Sequence, residues 1–148
     1  MIVPMNVRIS HMADKPVERE REGIVILDVK GRLVAGEAVG NLRESITQLV
    51  AAGKCDAVLN LADVDYIDSS GLGAMVMCFS TMRKSGGKLK LLRLTRRNVE
   101  LLVLTKLETV FEVFDDEQQA INSFFPNREI RHFDILSFIK QQKSEGNN

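Results

Sequence analysis

The chain has 148 residues, 45% of them apolar and 27% charged, and twenty Lys and Arg balance twenty Asp and Glu. That length suits one domain with a hydrophobic core, the charge content is too low for a disordered chain, and zero net charge argues against a general nucleic-acid binder. No apolar run approaches the roughly 18 residues that span a bilayer, and Met1-Ile2-Val3-Pro4-Met5-Asn6 lacks the basic flank and apolar stretch of a signal peptide, so the expected setting is cytoplasmic, without membrane insertion.

Met5 to Ile9 alternates and could form an extra edge strand. Val17 to Glu22 is nearly all charge and reads as an edge strand, paired through a turn at Gly23 with a buried, β-branched strand at Ile24–Val29 that Lys30-Gly31 ends. Glu37 to Ala52 carries Val39, Leu42, Ile46, Leu49 and Val50 at helical spacing, with Gly53 as its stop. Cys55 to Leu61 is a second central strand, and Asp63 to Ser70, polar and leading into glycines, is expected to be a loop. Leu72 to Lys84 is apolar around most of its circumference, which predicts a helix buried on more than one side. After Ser85-Gly86-Gly87, Lys88 to Leu94 alternates as a half-buried strand. Asn98 to Leu107 is a short helix and Val110 to Phe114 a short last strand. Asp115, with Gln118 as its capping-box partner, opens a helix through Phe125 that Pro126 closes. Phe133, Leu136 and Ile139 suggest a further helix, fraying over Gln141 to Asn148. Strands alternating with helices imply an α/β domain.

The sharpest chemical feature is Asp68-Ser69-Ser70-Gly71-Leu72-Gly73, at a strand–loop–helix junction. Asp and Ser are preferred helix caps, so capping alone accounts for them. The same geometry also suits an exposed serine to reversible phosphorylation, because backbone amides and the helix dipole converge on such a position. Other chemistries fit poorly. His11 and His132 both lie in the terminal extensions, far in sequence from Ser69 and Ser70, and Gly-x-Ser-x-Gly is absent. No phosphate-binding glycine loop is present, and Asp63, Asp65 and Asp68 lack the continuation of a Ca²⁺ loop. Cys55 and Cys78 read as reduced core residues rather than a metal site or disulfide. The chain is therefore expected to bind a partner rather than catalyse, with no cofactor and no metal. Met75, Met77 and Met82 read first as core filling, although the small side chains of Gly71-Leu72-Gly73-Ala74 would let a partner approach the helix start.

Ile67-Asp68-Ser69-Ser70-Gly71-Leu72-Gly73 resembles the signature of the STAS domain, in particular of bacterial anti-sigma factor antagonists. Four further segments agree in order and spacing: Val25 to Leu33, Ala57 to Leu61, Gly86 to Leu89, and Val110 to Glu117. The resemblance covers about 17–125. It implies an α/β fold with a mixed β-sheet of four to five strands and helices packed against it. It divides the chain into an extension at 1–14, a STAS domain at 15–125, and a C-terminal extension at 126–148, helical and then frayed.

The resemblance also implies a switch. The unphosphorylated protein would bind an anti-sigma factor that is a serine kinase of the histidine-kinase-like ATPase superfamily, freeing the sigma factor. Phosphorylation of Ser69 would end the interaction, and a PP2C-type phosphatase would restore it. The expected partner surface is the loop at Val34, Gly36 and Glu37, the turn of Asp68, Ser69, Ser70, Gly71, Leu72 and Gly73, and the first exposed turns of the next helix, including Met75, with Ser70 acting as a cap. The family often places an acidic residue after Gly-x-Leu, where this chain has Val34. A homodimer is left open. The alternative is a STAS scaffold subunit of a stressosome-like or lipid-transport ABC assembly.

Overall fold

A computed structural model of the chain describes residues 14–146. Five strands, β1 (Val17–Arg21), β2 (Ile24–Leu33), β3 (Asp56–Ile67), β4 (Lys88–Leu92) and β5 (Val113–Phe114), form one sheet in sequence order. β1 pairs antiparallel with β2, and every other pair is parallel. The crossovers carry helices α1 (Glu37–Ala51), α2 (Ser69–Lys84) and α3 (Arg96–Leu104), the last followed by a 3₁₀ turn at Leu107–Thr109; α4 (Glu117–Asn122) and α5 (Ile135–Gly146) come after β5. The Met5–Ile9 expectation lies outside the described residues.

Parallel strands are buried on both faces and read as continuous apolar runs. Val25, Leu27, Ala57, Leu59, Leu89 and Leu91 face one side, where Leu42, Ile46 and Leu49 of α1, Met75, Cys78 and Met82 of α2, and Val99 and Leu102 of α3 close the main core. Ile24, Ile26, Val58, Leu92 and Phe114 face the other side and pack on Ala120 and Ile121 of α4. The charges of β1 are used on that second side. Arg19 bonds Asp28 at 2.6 Å, and both Arg19 and Arg21 pair with Glu117. Lys90, almost fully buried, reaches Glu112 at 2.9 Å and the Ser123 hydroxyl at 2.9 Å.

Several boundaries differ from the sequence expectations. β2 continues past Lys30-Gly31 to Leu33, and β3 continues through the segment expected to be a loop, to Ile67. The cause is visible in the register. Asp28 pairs with Asn60 but Lys30 with Asp63, and Gly31 with Val64 but Arg32 with Tyr66, so β3 twice carries one extra residue. The inward positions of β3 therefore run 57, 59, 61, 64 and 67. The cap after β5 is Asp116, not Asp115, with its side chain accepting from the Gln119 amide, and α4 stops at Asn122 rather than Phe125. The last strand shrinks to two residues. α3 begins at Arg96, capped by Thr95, and ends three residues before Leu107. In the C-terminal segment Phe133 precedes the helix, its amide bonded to the Val113 carbonyl at 3.0 Å, while Leu136 is exposed. Phe133, Phe138 and Ile139 pack on the main core, and α5 is helical to Gly146.

Candidate functional site

β2 and β3 are adjacent and parallel, and Leu33 and Ile67 are register partners at their ends. The loops that follow both strands therefore emerge side by side. The Asp68 amide donates to the Leu33 carbonyl at 3.2 Å. Asp68 is the N-cap of α2, in extended backbone geometry, and its Oδ1 accepts the Gly71 amide at 2.8 Å. Its Oδ2 accepts the Ala35 amide at 3.1 Å. One carboxylate thus starts the helix and fastens the 34–36 loop to it. The Gly71 amide first, then the Ala35 amide, hold the Asp68 carboxyl below the usual aspartate range, with Arg32 adding a weaker pull.

Ser69 is the first residue of α2 and Ser70 the second; both are exposed. The expectation of Ser70 as the cap is corrected, because the capping side chain is Asp68. Of the backbone amides near Ser69, those of Gly71 and Ala35 are already taken by the Asp68 carboxylate.

The remaining predicted residues separate into two groups. Gly36 caps α1 at φ 108°, left-handed geometry that favours glycine, and Glu37 begins that helix; both are exposed, while Val34 is half-buried. Gly73 is open, and a Cβ there would meet nothing within 4 Å. Gly71 is buried, and a Cβ there would fall 2.2 Å from the Leu33 carbonyl oxygen. Its glycine serves the packing of helix on strand, not the approach of a partner. Leu72 packs partly into the main core. Met75 has no exposed surface and so lies beneath the expected ridge rather than on it. The exposed methionine is Met77, at 50%, beside Val76 at 36%. Ser69, Gly73, Val76 and Met77 stand at i, i+4, i+7 and i+8 and share the outer face of α2. The helix is therefore not buried around its circumference.

Sequence reasoning also missed Ala35, whose contribution is a backbone amide, and a cationic group around Tyr66. The Arg32 guanidinium lies 4.9 Å from the Tyr66 ring centroid and that of Arg97 4.6 Å. Away from the motif, a groove of about 380 Å³ is lined by the 108–113 and 132–136 segments, but its Glu112 is already tied to Lys90 and to His132. Among the described residues, no cluster of His, Cys, Asp or Glu is placed to hold a metal ion, and no helix is long and apolar enough to cross a membrane.

A sequential sheet with one antiparallel edge, and a serine directly after the Asp cap of the helix that follows its central strand, defines a class of small α/β domain. The chain belongs to the STAS domain family, whose profile matches residues 15–120. It is 39% identical over 72 residues to the anti-sigma-B factor antagonist of Bacillus subtilis strain 168, an alignment spanning 49% of this chain and 65% of that relative. Among solved structures it resembles a candidate anti-sigma factor antagonist of Thermotoga maritima (TM-score 0.68, 24% identity, 73% of this chain and 92% of that one). It also resembles the antagonist SpoIIAA in its unphosphorylated form (TM-score 0.58, 20% identity, 74% and 96%). These structural likenesses concern the fold.

Proposed function

We propose that the chain is an anti-sigma factor antagonist, a binding module rather than an enzyme, acting in the cytoplasm. Its unphosphorylated form binds an anti-sigma factor that is a serine kinase of the histidine-kinase-like ATPase superfamily, and so frees the sigma factor. The observation that carries this reading is the exposed Ser69 hydroxyl at the first position of α2, on a helix start that Asp68 fixes from both sides. A rigid, accessible hydroxyl is what in-line phosphoryl transfer needs. The serine oxygen would attack the γ-phosphorus of ATP held by the kinase, the bond to the β-phosphate oxygen would break, ADP would leave, and the hydroxyl proton would pass to a base of the kinase. A PP2C-type phosphatase would return the serine by hydrolysis.

The docking surface on this reading is the outer ridge of Val34 to Glu37, Asp68 to Ser70, Gly73, Val76 and Met77. Val76 and Met77 replace Met75 there because they are the apolar side chains that α2 exposes. The test is to incubate the chain with ATP and the anti-sigma factors of its own cell and to follow intact mass and complex formation. One added phosphate that vanishes in Ser69→Ala, with a complex that forms only before phosphorylation, supports the reading. Recovery of a large multi-subunit assembly or a membrane ATPase without phosphate transfer would replace it with the scaffold alternative.

A further inference from the structure

Resting on the reading of Ser69 as the phosphoacceptor, we propose that a phosphate on Ser69 is received by the Arg32 guanidinium, with Arg97 as a second positive charge across Tyr66. Two of the backbone amides near the start of α2 are already engaged, one in the helix and one in the 34–36 loop. The Asp68 carboxylate holds the Gly71 amide at 2.8 Å and the Ala35 amide at 3.1 Å. A phosphoserine would bring about −1.5 to −2 charges beside that carboxylate, and a cation is the strongest available counterweight to two adjacent anions.

Arg32 is the cation that strand register brings to this end of the sheet. It pairs in register with Tyr66, one position before Leu33, whose carbonyl takes the Asp68 amide. Its charge already reaches the Asp68 carboxyl. Arg32 comes from β2 and Arg97 from the start of α3 beyond β4, so the two flank β3 and meet over one ring. Among the described residues, neither guanidinium has a carboxylate partner, a condition they share with Arg43, Arg83, Arg93 and Arg131; what sets Arg32 and Arg97 apart is the ring they share. Stacking on an aromatic face orients a guanidinium while leaving its N–H edge free, and that edge matches the oxygens of a phosphate. On this proposal the Arg–Tyr–Arg group receives the modified side chain of the same molecule.

The experiment installs phosphoserine at position 69 by codon suppression and follows its ³¹P resonance against pH. Phosphoserine free of neighbours has a second pKa of about 6. Asp68 raises this value in all variants alike, so the comparison among variants decides. Arg32→Gln should raise it by about half a unit or more relative to the parent, Arg97→Gln by less, and Arg32→Lys should restore part of the difference. The Arg32 Nε–H resonance should move on phosphorylation. Melting curves check that each variant is folded. A ³¹P titration unmoved by Arg32→Gln overturns the proposal. So does the pattern in which Arg32→Gln leaves that titration alone but weakens capture of the unphosphorylated form by its anti-sigma factor, which would assign the pair to the partner interface. No kinase enters this measurement. The underlying reading fails separately, if protein from its own cells carries no phosphate on Ser69.

Discussion

The Ala35 amide and the Asp68 carboxylate meet at 3.1 Å although 33 residues of chain separate them. The loop after β2 and the start of α2 are thereby one mechanical unit. Removing the Asp68 side chain releases both the Gly71 and the Ala35 amides. Asp68→Ala should lower the melting temperature by about 2–4 °C and increase hydrogen exchange at both amides, while Asp68→Asn retains most of the stability. The carboxyl titrates below the usual aspartate range. Its contribution is therefore complete at neutral pH and is lost as pH falls through that depressed value.

Ser69 separates chemistry from folding. Ser69→Ala should abolish phosphate incorporation by the cognate kinase, whereas Ser70→Ala should leave it measurable; the reverse pattern refutes the assignment. Ser69→Asp places a second negative charge beside Asp68 in the proposed docking surface. It should weaken partner binding by roughly 30-fold or more, the equivalent of about 2 kcal/mol, with the far-UV circular dichroism of the parent.

The two glycines of the motif should respond oppositely. A Cβ at Gly71 would strike the Leu33 carbonyl oxygen and approach Ile67 Cγ2 at 2.9 Å. Gly71→Ala should destabilise by about 1–3 kcal/mol. Gly73 has open space around it, and Gly73→Ala in a helix interior should stabilise by up to about 1 kcal/mol. Gly73→Arg should fold and yet fail to bind the partner. Denaturant titration combined with a binding assay reads both, and a folded Gly73→Arg of undiminished affinity would move the interface elsewhere.

The methionines of α2 give a similar contrast. Met75 is fully buried, and Met75→Ala should cost about 2–5 kcal/mol. Met77 is half exposed, and Met77→Lys should change stability by less than about 0.5 kcal/mol while reducing partner affinity. The sequence could not separate these two residues. A helix start of small residues followed by Met75-Val76-Met77-Cys78 has no polar face to show which way it turns, and the outward face is settled by where Asp68 fixes the first turn. β3 was obscured for a different reason. Its two extra residues replace the spacing of two by a spacing of three, so Asp63 and Asp65 look like loop residues although Val64 between them is buried. By contrast, Val25–Asp28, Leu89 and Leu91 lie in regular parallel pairing, and there apolar pattern and structure agree.

Acid should test the opposite side of the sheet. The hydrogen bond from Arg19, outweighing partial burial and joined by one from Arg21, draws the Glu117 carboxyl down to about 2 from an ordinary 4.5. A depressed carboxyl stabilises the fold above its unfolded value and loses that contribution as pH falls, here between about 4.5 and 2. Glu117→Gln should be less stable than the parent at pH 7, and the difference should narrow across that acid window. Urea titrations at pH 7, 4 and 2.5 check it, and parallel curves for the two proteins would contradict the assignment.

Strand order has a consequence for how the molecule is made. Each strand lies beside the one synthesised just before it, from β1 to β5. A chain leaving the ribosome therefore adds every new strand to an edge that has already emerged, without holding a gap open for a later segment. Residues 32–37 and 66–73, with the two strands that set them side by side, are all translated within the first half of the chain. Arg97 follows at the start of α3, and the Phe133 amide closes onto Val113 last. The proposed docking region is thus assembled early in translation, and the C-terminal helix seals a domain in which that region is already in place.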